Sequence, residues 1–383
     1  MRIAFYAPMK PVSSPVPSGD RQMARNLIAA LECGHEVEIA SEFVSRDGSG
    51  DAAIQRALAR RAQEEASVLI EKWRGGDPQR RPEAWFTYHV YHKAPDWIGP
   101  AISEALEIPY FMAEVSHAPK QAGGPWDIGY RAAEAAIKHG QGIIGLSQRD
   151  AACVLPLLED PGRYHTLPPF TDTTPFALAA KNRIKHRADI AGRFQLDGNT
   201  PILLAVGMTR EGDKLASYRV LAEALGRLQN SKWALLIVGD GPARSSVEAA
   251  FADLAGNRVR FAGGVMPEEL PALYAAADLM VWPAVNEAYG MAMLEAQATG
   301  LPVVAGETGG VPDFVKHGET GLLCLVGDAG AFAAAAAELL AAPDRRAVFS
   351  MKALARTASE HDITSAAVAL DRILRDAREL GAV

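Results

Sequence analysis

Cysteine is scarce in this chain: Cys33, Cys153 and Cys324 are the only three in 383 residues. They are far apart and odd in number, which excludes a disulfide framework and a thiolate zinc site and fits a reducing, cytoplasmic compartment. Positive charge is not in excess either. Lysine and arginine total 39 against 46 aspartates and glutamates, a formal net charge of −7. A nucleic-acid partner is therefore not expected, because phosphate backbones need a cationic face. No apolar run reaches the roughly 18 residues of a membrane span. The Ala-rich segment Ala331–Ala342 contains Glu338 and reads as a helix ended by Pro343. Met1–Pro8 lacks the long apolar stretch of a signal peptide and predicts a first strand. A Gly-x-Gly-x-x-Gly turn after a strand is missing too, which argues against a dehydrogenase.

What is present is alternation. Strand-like runs at Ile3–Ala7, Glu36–Ala40, Ala84–Tyr88, Tyr110–Met112, Ile143–Leu146, Ile202–Val206, Ala234–Val238, Arg258–Phe261, Leu279–Trp282 and Pro302–Ala305 are separated by helical patterns such as Gln22–Leu31, Leu215–Leu228 and Met291–Thr299. Several are almost wholly apolar, as strands buried on both faces are, so the fold class is α/β with parallel sheets. Three prolines among threonines in Leu167–Pro175 suit neither a helix nor a central strand. They divide the chain into two expected Rossmann-like domains, 1–170 and 171–362. An amphipathic helix over about 363–383 is free to pack back on the first. Two such domains joined by a hinge would leave a cleft, with ligands at the carboxyl ends of the strands.

The segment Val281–Val304 carries the chemistry. A buried strand runs into a loop, a helix opens near Gly290, and Gly300 stops it before Pro302. Glu287 sits in the loop and Glu295 on the helix, eight residues later. Gly290 admits a ligand close to the backbone, and helix-start amides favour phosphate. Carboxylates accept hydrogen bonds from hydroxyls. One turn thus offers acceptors for a polyol and donors for a diphosphate, the two halves of a sugar nucleotide.

Glu287-x7-Glu295, followed by Gly300–Ala305 and Thr308–Asp313, resembles the signature of retaining glycosyltransferases of family 4, which have the GT-B fold. Ile237–Pro242, Phe261–Gly263, Tyr274–Asp278 and His317–Leu323 extend the likeness over roughly Pro201–Asp328, whereas the first half matches mainly by pattern. The resemblance implies two Rossmann-like domains facing each other across a deep cleft. It implies sugar transfer from a nucleoside diphosphate sugar to an acceptor glycan, lipid or small molecule, with no cofactor and no metal. Glu287 would hold donor-sugar hydroxyls, Glu295 the ribose, and the backbone of Ala288, Tyr289, Gly290 and Met291 the sugar or its phosphates. In the family an Arg and a Lys after the first strand of the second half stabilise the leaving diphosphate. Here Met208 stands at the usual Arg position, Arg210 follows two residues later, and Lys214 stands where the Lys belongs. Gly241, in the Gly-Asp-Gly-Pro turn, would border the nucleotide.

In the first half, Gly19 with Asp20 and Arg21 stands where the family has a Gly-rich loop facing donor phosphate and acceptor. The same residues also read as a helix start capped by Ser18 or Asp20. His117 matches the family's His that reaches donor sugar or acceptor, with Glu114, Lys120 and Trp126 as weaker acceptor-side candidates. His89-x2-His92 has metal-ligand character, but no third ligand is apparent in the sequence. The basic cluster Arg56, Arg60, Arg61, Lys72, Arg74, Arg80 and Arg81, with Trp73, is diluted by Glu64, Glu65, Glu71 and Asp77 and reads as a solvated helix. The other reading of it is peripheral contact at the inner membrane face. Two rival functions share the motif: a sugar-nucleotide epimerase on the same fold, and a non-catalytic sugar-nucleotide-binding protein.

Overall fold

Six parallel strands carry the first unit of the computed structural model, which describes residues 1–14 and 18–381. They are β1 (Arg2–Tyr6), β2 (Glu36–Ser41), β3 (Ala84–Val90), β4 (Tyr110–Val115), β5 (Gly142–Gly145) and β6 (Tyr164–Thr166), in the spatial order β2-β1-β3-β4-β5-β6. The central strands are apolar along their length, and Phe5, Trp85, Phe86 and Phe111 are fully buried. Asp96 is a polar exception in this core. It accepts from the hydroxyls of Thr87 (2.6 Å) and Tyr110 (2.8 Å) and from the amides of Ile98 and Gly99, which fixes the turn into the helix Gly99–Leu106.

The second unit has its own six parallel strands: β7 (Ile202–Val206), β8 (Ala234–Val238), β9 (Val259–Gly263), β10 (Leu279–Trp282), β11 (Val303–Gly306) and β12 (Gly321–Cys324). Their order is β12-β11-β10-β7-β8-β9. Counted within the unit this is 3-2-1-4-5-6, the doubly wound arrangement whose strand order reverses between the first and fourth strands. The first unit reverses between β1 and β3. At each reversal the following helices depart to opposite faces, opening a crevice at the carboxyl ends of the strands.

The units comprise Met1–Phe170 with Ile363–Val383, and Thr171–Asp362. The chain thus leaves the first unit inside the Pro-rich segment. Thr171 donates its amide to the carbonyl of His361 (3.0 Å), and the Thr173 hydroxyl donates to Asp362 (2.5 Å), so the two ends of the second unit are tied together. The last helix, Ile363–Gly381, belongs to the first unit and buries Ala366, Leu370, Ile373, Leu374 and Ala377 at helical spacing against the helix Gly19–Glu32 and β5. Its Asp371 lies 3.3 Å from His35.

Three elements, the helix opening at Pro343 and two short strands, differ from expectation. Pro343 does end one helix, Ala329–Ala341, but it also opens the next, Pro343–Glu360, where its missing N–H costs nothing at the first helical position. Strands β6 and β12 are too short, at three and four residues, to show a period in sequence. The basic cluster lies largely on the 24-residue helix Ala52–Gly75, which buries Ala62, Ala66, Leu69 and Trp73. Lys72 of that helix pairs with Glu38, and Arg74 donates to the carbonyl of Ala105. No helix among the described residues is long and apolar enough to cross a membrane.

Candidate functional site

The crevice of the second unit is built by the loops that follow β7 and β10, the two strands at its reversal. Lys214 enters on the first turn of the helix Asp213–Gly226 after β7, and Glu287 sits in the loop after β10. Although 73 residues apart, the Lys214 ammonium and the Glu287 carboxylate form a direct ion pair. The same carboxylate oxygen accepts from the indole N–H of Trp282 (3.0 Å), and Lys214 Nζ lies 5.1 Å from that ring's centroid. Trp282 is held edge-on by Tyr218, whose hydroxyl donates to the carbonyl of Gly207 (2.7 Å). Both charged side chains are mostly covered, at 19% and 15% exposed. Trp282 therefore orients a pair that would otherwise be a mobile surface contact.

The loop bearing Glu287 is bent by two non-glycine residues in the left-handed region, Ala284 (φ 55°) and Asn286 (φ 50°). It is secured by the Asn286 amide to Asp213 (3.0 Å) and by the Val285 N–H to Ser217 (3.0 Å). From the other side the turn after β11 closes on it: the Gly310 amide donates to the carbonyl of Ala288 at 2.7 Å. Gly309 (φ 53°) makes this approach possible, since a Cβ there would stand 2.1 Å from the Glu287 carbonyl oxygen. Gly290 (φ 73°) precedes the helix Met291–Ala298, whose N-terminus carries no side-chain cap. Ala288 is exposed, Tyr289 and Gly290 are half-buried, and the Met291 side chain is buried, so Met291 offers only backbone to a ligand.

Glu295 lies on that helix and accepts from the Tyr274 hydroxyl at 2.8 Å. Burial raises its carboxyl to about 7, with the Tyr274 hydrogen bond working against the rise. No hydrogen bond or ion pair among the described residues joins it to Glu287. Arg210 is exposed in the β7 loop, and its side chain makes no ion pair or hydrogen bond among the described residues. Gly241 lies in the turn after β8, and its carbonyl accepts from the Thr209 hydroxyl at 3.2 Å. The β7 and β8 loops are further locked by Thr209 N–H to Asp240 (3.1 Å) and Ala243 N–H to Thr209 (2.9 Å). Sequence reasoning missed Thr209, Tyr274 and Trp282 as parts of this arrangement. Trp282 had a signal, an indole ending an otherwise aliphatic strand, and Tyr274 lay within a matched motif.

In the first unit, Ser18 caps the helix Gly19–Glu32 by accepting from Arg21 N–H, and Gly19 is its first residue. Asp20 follows and faces His89, with Nδ1 to Oδ1 at 3.4 Å; His89 in turn lies 3.6 Å from Glu114. Burial disfavours the charged ring of His89, but Glu114 and Asp20 outweigh it and lift the imidazole to about 9. Burial raises Glu114 to about 7 against the pull of His89. His117 goes elsewhere: it packs on Tyr130 (centroids 5.0 Å apart), with Nε2 3.2 Å from Glu134. Hydrogen bonds from Lys138 and Tyr130 hold Glu134 down at about 2. Lys120 is in the short turn Pro119–Gln121, and Trp126 donates to the carbonyl of Asp47 at 3.2 Å.

Residues 200–342 match the family model described as "Glycosyl transferases group 1". The chain is 35% identical over 195 residues to a GDP-mannose-dependent alpha-(1-6)-phosphatidylinositol monomannoside mannosyltransferase of Mycolicibacterium smegmatis, covering 48% of this chain and 49% of that protein. It is 33% identical over 214 residues to a D-inositol 3-phosphate glycosyltransferase of Salinispora tropica, covering 53% and 43%. The chain thus spans about half the length of the curated relatives it matches. Among solved structures it is similar to a glycosyltransferase from Rickettsia africae (TM-score 0.74, 17% identity, 98% and 99% of the two chains). It is also similar to Anabaena Alr3699/HepE in complex with UDP (TM-score 0.75, 17% identity, 98% and 100%). At that identity the likeness shows the fold, two Rossmann-like α/β units of the GT-B class.

Proposed function

We propose that the chain is a retaining glycosyltransferase of family 4, moving a sugar from a nucleoside diphosphate sugar to a hydroxyl of a glycan, lipid or small-molecule acceptor. One observation carries the reading: Lys214, Glu287 and the indole of Trp282 converge at the strand reversal of the second unit, beside the uncapped helix N-terminus at Gly290. A carboxylate that accepts from sugar hydroxyls and an ammonium that faces phosphate are the two groups a glycosyl diphosphate needs. The match over residues 200–342 covers this crevice.

In this reading the bond from the anomeric carbon to the diphosphate oxygen breaks, and the acceptor oxygen bonds to that carbon on the same face. The acceptor proton passes to the departing phosphate. Negative charge grows on the leaving oxygen, and Lys214, Arg210 and the helix-start amides stabilise it. Glu287 exchanges Lys214 for donor-sugar hydroxyls when substrate binds. Glu295 accepts from the ribose hydroxyls, and Gly241 borders the nucleotide. Gly19 and Asp20 face the donor phosphate and the acceptor, and His117 reaches the donor sugar or the acceptor. The transfer step uses no metal and no cofactor, and it runs in the cytoplasm, the compartment that three unpaired cysteines favour.

The test is a thermal-shift panel of nucleoside diphosphates, followed by product analysis. A ligand at one hundred times its Kd stabilises the native state by about 2.7 kcal/mol. One nucleoside diphosphate should raise the melting temperature of wild type and fail to raise that of Lys214→Ala. Its sugar donor should then yield a product with the donor's anomeric configuration. A panel without any shift, or a product of inverted configuration, overturns the reading.

A further inference from the structure

We propose that Asp20, His89 and Glu114 form a binding site for one divalent cation of the zinc class, at the strand reversal of the first unit. The three side chains come from separate elements: the helix after β1, the end of β3 and the end of β4. β1 and β3 are the strands between which the order of this sheet reverses. His89 and Glu114 lie opposite each other in the parallel register that pairs Tyr88 with Ala113 and Val90 with Val115. Both adopt left-handed backbone angles, φ 66° and 55°, on non-glycine residues in adjacent strands.

The distances suit a metal better than a hydrogen-bonded ion triplet. His89 Nδ1 stands 3.4 Å from Asp20 Oδ1 and 3.6 Å from Glu114 Oε1. This buried nitrogen makes no aligned hydrogen bond among the described residues. All three ligand atoms lie within 4.8 Å of one another. A tetrahedral ion with bonds of about 2.1 Å holds its ligands about 3.4 Å apart. The Nδ1 contacts are therefore close to the edges of such a tetrahedron, and the half-exposed Asp20 has room to complete it.

The surroundings fit as well. Tyr88 donates its hydroxyl to Glu114 Oε2 at 2.5 Å, which leaves Oε1 free to ligate and fixes the carboxylate's orientation. Asp150, held by Ser116 (2.9 Å) and Ser147 (2.8 Å), adds a further negative charge that acts on both His89 and Glu114. Asp20 and Glu114 thus set two carboxylates against one imidazole, a group of ligands that suits a cation. Side-chain exposure falls from 39% at Asp20 through 17% at His89 to 10% at Glu114, so the ion enters from the Asp20 side and keeps water there. One imidazole with two carboxylates selects zinc or cobalt over magnesium and calcium, which prefer all-oxygen sets. His92, the other half of the sequence pair, is not a member; its ring packs on Trp126 at 6.0 Å.

The test uses the full chain, tag-free and stripped with chelator, titrated with Zn²⁺ by calorimetry and with Co²⁺ by visible absorption. One equivalent of Zn²⁺ should bind, and Co²⁺ should give the intense bands of a four-coordinate site. His89→Gln and Glu114→Gln should each weaken binding at least tenfold, and His92→Gln should not. Asp20→Asn, on a half-exposed side chain, covers the case in which a buried variant fails to fold. Wild-type binding no tighter than that of Asp20→Asn, or cobalt spectra without four-coordinate bands, would show that the cluster is an imidazolium triplet and no metal site. The sugar-transfer reading stands or falls separately, on nucleoside diphosphate binding in the second unit and on product configuration.

Discussion

In the proposed reading Glu295 sets stability against binding, and the conflict can be measured. Its carboxyl has an ordinary value of 4.5 and rises to about 7 in the folded chain through burial. The folded state thus binds this proton more tightly than the unfolded state. Below pH 4.5 the group is neutral in both states and costs nothing. As pH rises from about 4.5 to 7 the native state loses stability, and above 7 the loss is complete. Each pKa unit corresponds to 1.36 kcal/mol, so the full cost is about 3 kcal/mol. Glu295→Gln removes the titration and keeps an oxygen for the Tyr274 hydroxyl. The melting-temperature difference between variant and wild type should therefore be small at pH 4.5 and favour the variant at pH 7.5. For a unit of about 190 residues the difference should reach roughly 6–12 °C. Scanning calorimetry is the assay, because two units need not unfold as one. Comparing variant with wild type at each pH cancels the titration of Glu114 and His89. At pH 7.5 the same variant should bind nucleoside diphosphate more weakly than wild type. A difference that is flat with pH, or that grows toward acid, refutes the burial argument.

Three further outcomes follow from the geometry. Gly309→Ala forces a Cβ to within 2.1 Å of the Glu287 carbonyl; it should destabilise by about 2 kcal/mol and abolish nucleotide-dependent thermal shifts, read by scanning fluorimetry. Lys214→Met leaves the Glu287 carboxylate largely covered and without its cation. A double-mutant cycle with Glu287→Gln by urea denaturation should return a coupling of about 1–3 kcal/mol; additive losses would mean that the pair is solvated in solution. Asp96→Ala orphans the Thr87 and Tyr110 hydroxyls and two amides. It should cost about 3 kcal/mol or more, seen as a lower urea midpoint.

The two strand reversals were not equally legible. In the second unit each loop of the proposed site is a contiguous run: Gly207–Lys214, Gly239–Pro242, Val285–Met291 and Thr308–Gly310 all follow apolar strands, with glycines at the bends. Strand, turn chemistry and charged residue are then read together, and Glu287 emerges as a candidate from them and Lys214 from the family resemblance, before any contact is known. What stayed hidden is that they pair with each other, because the approach of β7 to β10 reflects strand order and not neighbouring sequence. The first unit spreads its charged groups over Asp20, His89 and Glu114, which come from three separate elements. The local pattern there misleads: His89 and His92 are three residues apart, yet one, inside β3, faces Glu114 and the other, beyond the strand, packs on Trp126. Left-handed backbone at a histidine and a glutamate has no signature in sequence either, since glycine and asparagine are the residues that announce it. His117, placed at the end of β4 as expected, is instead engaged by Tyr130 and Glu134 of the helix Asp127–His139. A parallel sheet brings residues together by strand order, so a site assembled from one residue per strand becomes visible only when that order is known.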